Sequence, residues 1–276
     1  MVVTAHAPAS TSNLGPGFDC LGAALNLGLR VTLSDAPASG DNSLVERAVE
    51  LVTGHPVEGS VVVSSDIPVA RGLGSSGACV AAGLVLGCAL AGREPDRAAL
   101  LAVGTPLEGH PDNLAAALFG GLVVALRGDG VVRLDPEPSV RPLILLPRER
   151  LATAEARGVL PAEVTLGDAV SNIAGTAGLV AVLTGAAKPS RELLLQCTRD
   201  ALHQPYRAPL MPKTADALRS LRDRGIAAAV SGAGPSIVCL VVRSEEDFVR
   251  EAAGSLEGWE LVELEWDTQG AYVMEE

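Results

Sequence analysis

Residues Asp66 to Gly92 read DIPVARGLGSSGACVAAGLVLGCALAG, and the organisation of the chain follows outward from them. Gly72, Gly74 and Gly77 let the backbone turn sharply and lie close to another group. Ser75 and Ser76 place two hydroxyls at the same turn. From Gly77 to Gly92 there is no charge and the side chains are small or aliphatic, which predicts a buried helix with the loop at its N-terminus. Unpaired amides and the positive dipole end at such a terminus form an anion site, so the stretch reads as a phosphate cradle. GLGSSG also fits G-x-G-x-x-G, but Asp66–Ala70 separates it from the strand expected at Val61–Ser64, where a dinucleotide fold needs a tight turn. No Walker loop and no H-R-D or D-F-G motif is present. A purely structural glycine turn satisfies the same residues, and the loop alone does not separate the two readings.

At 276 residues the chain is long enough for two domains, and its apolar share of 48% with 20% charged residues is that of a globular protein. Aromatics make up only 3%, so the core must be built from Ala, Val, Leu and Gly. That scarcity, with a net charge of −12, argues against a nucleic-acid partner. Five scattered cysteines without a C-x-x-C pair read as reduced thiols of a cytoplasmic protein, and MVVTAHAPAS lacks the pattern of a signal peptide. Two stretches are uncharged. Gly77–Gly92 is short for a membrane span, and Ala169–Ala187 carries Ser171, Asn172, Thr176 and Thr184, which favours a core helix over a membrane helix. No membrane association is expected.

Upstream of the glycine loop, Val2–Thr4 reads as a short strand. APASTSNLGPGFDCLGAAL after it reads as irregular, because Pro8, Gly15, Pro16 and Gly17 interrupt any regular element. Leu27–Leu33 alternates as a strand does, and Asn42–Val52 reads as a helix capped by Asn42. Downstream, Asp96–Val103 is a predicted helix. TPLEGHPDNLAAALFGG then forms a second polar cluster, with Pro111 in a helix's first turn and Glu108, His110 and Asn113 gathered there. Zinc is not indicated, since His6, His55 and His203 show no ligand spacing. A hairpin is expected at Leu122–Leu126 and Val131–Leu134 around Gly128-Asp129-Gly130, with a boundary at Asp135-Pro-Glu-Pro138. A strand follows at Leu143–Leu146, then helices near Leu166–Leu183, Arg191–Leu202 and Lys213–Arg224. Strands at Ala227–Val230 and Ile237–Val242 flank Ser231–Ser236, and a helix at Glu245–Leu256 precedes strands near Leu261–Trp266 and Ala271–Val273. The pattern is α+β with a predominantly antiparallel sheet covered by helices.

Three glycine-rich stretches occur in one order: PASTSNLGPGFDCLG, PVARGLGSSGA and SGAGPS. Together they resemble the three signature motifs of the GHMP small-molecule kinases, over nearly the whole chain. Within that superfamily SNLGPGFDCLG, EGHPDN with AALFGG, TAEARGVLP and HQPYRAPLMP resemble segments of the homoserine kinases. The resemblance implies an N-terminal domain like domain 2 of ribosomal protein S5 (residues 1–138) and a ferredoxin-like C-terminal domain (139–276). It implies ATP between them, with its phosphates on Pro68, Val69, Ala70, Arg71, Gly72, Leu73, Gly74, Ser75, Ser76, Gly77 and Ala78. Ser76 and Glu108 are the implied Mg²⁺ ligands, since hard cations take oxygen donors. L-homoserine, an amino-acid alcohol on the route to threonine, would bind through Asn13, Asp19, His110, Asn113, Arg157 and Arg207. Asp19 meets its ammonium and the two guanidinium forks meet its carboxylate. Asn113 stands where mevalonate and galactose kinases are described as using an aspartate base. An amide takes no proton at neutral pH, so direct attack by the acceptor hydroxyl on the γ-phosphate is expected. SGAGPS is expected to form a tight turn facing the first motif. The resemblance leaves a homodimer open.

Overall fold

The computed structural model describes residues 3–34, 41–128 and 130–274. The chain begins with a long hairpin, β1 (Val3–Asn13) and β2 (Gly17–Ser34), paired antiparallel from Val3↔Leu33 to Asn13↔Gly17. This corrects the irregular segment expected there. Ala5, Ala7 and Ala9 alternate into the core as a strand requires. Pro8 is tolerated because the register shifts between Pro8 and Ala9, at a bulge where a missing N–H is not needed. Only Leu14, Gly15 and Pro16 remain as the turn.

Helix α1 (Ser43–Thr53) and strand β3 (Ser60–Ser65) follow, and β3 pairs with the outer half of β2. Asn42 sits at the N-cap position, but its side chain does not cap; its amide donates to the Val61 carbonyl at 2.6 Å. Helix α2 (Ser75–Leu90) is buried on every side from Gly77 to Cys88 apart from Cys79, as the uncharged stretch predicts. It packs against α1 at Gly83 and Gly87, where the backbone carbonyls of Val45 and Val49 come close.

Helix α3 (Arg97–Glu108) is capped by Asp96, whose carboxylate accepts from the amides of Ala98 and Ala99. It runs further than expected, through Pro106, because proline in the last turn gives up one bond without breaking the helix. Glu108 therefore ends α3, and His110 begins α4 (Pro111–Phe119). Strands β4 (Leu122–Ala125) and β5 (Val131–Leu134) complete the hairpin expected after α4; Asp129 of its turn lies outside the described residues, as does Val2.

A second antiparallel sheet, in the order β7-β8-β6-β9, is built from β6 (Val140–Pro147), β7 (Ala228–Val230), β8 (Ile237–Val242) and β9 (Trp259–Glu263). Between β6 and β7 lie α5 (Thr153–Gly158), α6 (Leu166–Leu183), α7 (Arg191–Cys197), α8 (Gln204–Arg207) and α9 (Pro212–Asp223). Helix α7 ends before the expected Leu202, and Thr198–His203 forms a turn leading into α8. Leu143, Leu145, Ile237 and Cys239 face a core shared with α9 and α10 (Glu246–Gly254). Ile144, Leu146, Val238 and Leu240 face the core that continues into the first sheet. One apolar interior thus joins both halves. The last strand, β10 (Tyr272–Val273), returns to pair with β1 in the first sheet.

Helix α6 departs from the buried role expected of it. Leu166, Val170 and Ile173 are 80%, 55% and 68% exposed, so its apolar composition faces outward along one side. Its length and mean hydropathy of 1.4 meet the test for a membrane span, yet Asn172 on its inner side ties it to Pro16 and Asp200.

Candidate active site

The site begins where α2 begins. Gly74 occupies the N-cap position in the left-handed region, with φ of 66°, and no side chain caps the helix. The amide of Ala78 makes the first intrahelical bond, to the Gly74 carbonyl, so the amides of the preceding turn have no helical acceptor. No acidic residue occupies that first turn. An uncapped, sixteen-residue helix with its positive end open is an anion site by construction.

The loop ahead of it is held by the other two glycine-rich motifs. The Ser10 amide donates to the Leu73 carbonyl at 3.1 Å, and the Ser231 hydroxyl donates to the Gly72 carbonyl at 2.6 Å. A β-carbon at Gly72 would run into the Ser231 carbonyl, and one at Gly74 into the Ser10 hydroxyl, so close approach demands glycine at both. The amide of Asn13 donates to the Gly232 carbonyl at 2.8 Å, and Gly232 N–H donates to the Ser12 carbonyl at 3.0 Å. SGAGPS therefore forms the clamp across the first two motifs, with a cis Gly234–Pro235 peptide. Asn13, Leu14, Asp19 and Ala70 all adopt positive φ without being glycine, and such strain concentrates at functional sites.

A cleft of about 460 Å³ opens over this loop. Pro68 to Ser76 line it, while Gly77 and Ala78 lie behind them inside α2. Asn13, Asp19, Glu108, His110, Asn113, Arg157 and Arg207 line the same cleft, so residues from five separate segments converge. Ser76 Oγ donates to Glu108 Oε1 at 2.7 Å. Burial raises the Glu108 carboxyl above the usual range, against the opposing hydrogen bond from Ser76. The His110 ring lies 3.0 Å from Asp112 Oδ1 and 4.0 Å from Glu108 Oε1. Burial opposes its charge, but the hydrogen bond to Asp112 and the two carboxylates outweigh burial and raise its pKa.

Asn113 is committed within the protein. Its Oδ1 accepts from the Ser10 hydroxyl at 2.8 Å, and its Nδ2 donates to Ser12 Oγ at 3.0 Å. It braces the floor of the loop. Asn13 is similarly engaged, since its Oδ1 accepts from the Asp19 amide at 3.0 Å. Arg157 bonds Asp19 through both terminal nitrogens. Arg207 is 1% exposed, its Nε donating to the Ala156 carbonyl and its Nη1 to His203 Nδ1 and the Gly232 carbonyl. Its Nη2 makes no hydrogen bond to a described residue.

Two family models match the chain, the GHMP kinase N-terminal domain over residues 43–121 and the GHMP kinase C-terminal domain over residues 179–256. A homoserine kinase of Streptomyces avermitilis is 38% identical, covering 99% of this chain and 95% of its own. Another, of Clavibacter michiganensis, is 42% identical over 86% and 82%. The chain belongs to the GHMP kinases, in the homoserine kinase family. A homoserine kinase structure from Cytophaga hutchinsonii superposes with a TM-score of 0.84 at 26% identity, covering 99% and 97% of the two chains. Mevalonate kinase of Methanococcus jannaschii shares the fold, with a TM-score of 0.70 at 12% identity and coverage of 96% and 98%.

Around the site of this GHMP kinase lie further residues that were not assigned to it from the sequence. Phe18 stacks on His203 with ring centroids 5.3 Å apart, and the guanidinium carbons of Arg157 and Arg207 lie 5.7 and 5.4 Å from its centre. Ser10, Ser12 and Ser231 form the buried hydroxyl floor; the polar run STSN between apolar strands signalled the first two, and the SGAGPS motif the third. Cys79 and Leu151 line the cleft with no sequence signal for it, and burial pushes the Cys79 thiol up to about 11.

Proposed function

We propose that the chain transfers the γ-phosphoryl group of ATP to the side-chain hydroxyl of L-homoserine, giving O-phospho-L-homoserine and ADP. The observation that carries this reading is one cleft holding both the open end of α2 and the Asp19–Arg157–Arg207 charge set. The first suits polyphosphate; the second suits a zwitterion, which needs an anion for its ammonium and guanidinium forks for its carboxylate. The names of the two homoserine kinases compared above agree with it.

ATP phosphates lie on the unpaired amides of Ser75 to Gly77, with Pro68 to Gly74 forming the wall beside them. Ser76 Oγ and Glu108 Oε1 are neighbouring hard oxygens at the mouth of the loop, a donor pair that fits Mg²⁺. Mg²⁺, when bound, neutralises phosphate charge and orients the transferred group. The free Nη2 of Arg207 and the fork of Arg157 take the acceptor carboxylate, and Asp19 takes the ammonium. The acceptor oxygen then bonds to the γ-phosphorus as the bond to the β–γ bridging oxygen breaks, its electron pair leaving with ADP. The hydroxyl proton passes to a phosphoryl oxygen or water. Asn113 cannot accept it, because an amide is not basic at neutral pH and both ends of this one are already bonded. Positioning and charge neutralisation supply the rate in a loose phosphoryl-transfer transition state.

The test is ADP release coupled to a spectrophotometric assay, with L-homoserine, mevalonate and galactose each offered at millimolar concentration. Turnover with L-homoserine above the other two is expected. No turnover with it, or equal turnover with all three, overturns the reading.

A further inference from the structure

A second cavity, of about 520 Å³, lies outside the cleft, between the end of α7, α8 and α9. Its volume falls within the range of small-molecule sites, about 300–1,000 Å³. One side is apolar, formed by Met211, Leu218 and Val230. The other is cationic. Arg222 crosses its floor, donating to the carbonyls of Leu195 and Thr198 at the end of α7 and to that of Ala228. No carboxylate of a described residue pairs with it, and Arg199 beside it likewise makes no side-chain hydrogen bond or ion pair to a described residue. Of the acidic residues on the wall, Asp200 is spent on the amides of Leu202, His203 and Gln204 and on Asn172, while Asp223 is exposed on the surface. In a protein of net charge −12, an unpaired cationic wall facing an apolar one stands out.

The cavity also shares structure with the active site. Gln204 Oε1 accepts from the Val230 amide at 2.7 Å, immediately before the Ser231–Ser236 clamp. Helix α8 carries Gln204 on the cavity side and Arg207 into the cleft. Thr198, held by Arg222 at 3.0 Å, backs the turn at Gly15 so closely that a β-carbon there would meet its carbonyl. We propose that this cavity is an effector site for a small monoanion with a compact apolar body, read by Arg199 and Arg222 and coupled to the acceptor side of the active site.

Hexanoate is a suitable probe, with hexanamide as its uncharged counterpart. The chain has three methionines, and Met211 is the one that lines the cavity among the described residues, so a ¹³C-methyl methionine label gives a local reporter. Hexanoate should shift the Met211 methyl saturably with both substrates absent, and hexanamide should not. Arg199→Gln, an exposed substitution outside the catalytic cleft, should weaken hexanoate by about tenfold, as loss of one charge-assisted contact does. A shift that never saturates, equal shifts from amide and acid, or unchanged binding in Arg199→Gln overturns the site. With the site filled, the KM for L-homoserine should change by about fivefold or more while that for ATP stays put. Saturable binding with both constants unmoved overturns the coupling. The binding measurement needs no turnover, so it is decided independently of the acceptor's identity.

Discussion

Arg157 clasps Asp19 through both edges of its guanidinium, Nη2 to Oδ1 at 2.5 Å and Nη1 to Oδ2 at 3.0 Å. The cleft thus already contains the charge pair that a zwitterionic amino acid would bring. In the proposed complex the acceptor's ammonium takes the place of Arg157 at Asp19, and its carboxylate takes the place of Asp19 at Arg157. Both residues are about one-third exposed, so water screens the pair and keeps its opening inexpensive. Asp19→Asn should raise the KM for L-homoserine by about 10- to 100-fold, the worth of one charge-assisted contact, with the KM for ATP nearly unchanged. Steady-state kinetics in both substrates checks this, and equal effects on both constants would remove the assigned role.

Phe18 lies where its ring can hold both arginines at once, against the imidazole of His203. A cation over an aromatic face gains about 0.5–2 kcal/mol. Phe18→Leu keeps the apolar volume but removes that attraction, so the homoserine KM should rise about 3- to 30-fold. The ATP constant should hold, as the ring contacts of Phe18 are to His203 and to the two arginines assigned to the acceptor. A change in kcat alone would contradict this positioning role.

Ser76 and Glu108 meet at 2.7 Å from different helices, with the hydroxyl donating to the carboxylate. Glu108→Gln keeps the shape and the acceptor but removes the charge. The Mg²⁺ concentration needed for half-maximal activity should rise by at least about tenfold, in line with losses on altering a metal's coordination shell. Titrating activity with Mg²⁺ at fixed ATP measures it, and an unshifted midpoint would place the metal elsewhere.

Close packing of α1 on α2 gives a stability prediction away from the chemistry. A β-carbon at Gly83 would approach the Val45 carbonyl and the Ala48 side chain to 2.7 Å. Alanine there gains helix propensity but must push two closely packed helices apart. Overpacking of this kind costs about 1–3 kcal/mol, so Gly83→Ala should lower the urea midpoint at unchanged m-value. Gly92→Ala is not a substitute control, because Gly92 has φ of 63°. Gly158, with open space around it, is one.

What could be read from the sequence follows from where each signal is stored. The phosphate loop and its helix were legible, because glycine spacing and the absence of charge are local properties of Asp66–Gly92. Arg157 and Arg207 were legible only through the family resemblance, since isolated arginines are ordinarily exposed and here converge from elements 50 residues apart in sequence. The β1–β2 hairpin was hidden by Pro8, whose strand role depends on a bulge that only the paired sheet reveals, and by Gly15–Gly17, which read as a break but close the hairpin's tight turn. Helix α6 misled in the other direction: uncharged composition suggests burial, yet position in the fold leaves Leu166 and Ile173 outside. The Ser231–Ser236 turn was expected to face the first motif, and it does; the Phe18 contacts join residues distant in the chain, and no local pattern announces such meetings.

His203 ties the site to acid stability. Its Nε2 donates to the Gly15 carbonyl at 2.8 Å, so Nδ1 is the acceptor for Arg207 Nη1 at 3.0 Å. Protonating Nδ1 would break that bond and set an imidazolium against a buried guanidinium. Burial, with the charge of Arg207, accordingly holds the His203 pKa below its usual 6.5, and burial lowers that of His6 as well. At these two histidines the unfolded chain therefore binds more protons than the folded one at mildly acid pH, and their contribution to stability rises with pH across that window. The contribution is complete above pH 6.5 and is lost as pH falls from there through the folded-state values. His110, raised in the folded state, acts with the opposite sign, losing its contribution as pH rises above 6.5. The difference between wild type and His203→Gln isolates the His203 effect. Urea midpoints measured from pH 7.5 down to 5 should fall more steeply in the wild type than in the variant, whatever their offset at neutral pH. Parallel profiles would mean that His203 titrates alike in both states and that its bond to Arg207 does not hold it neutral.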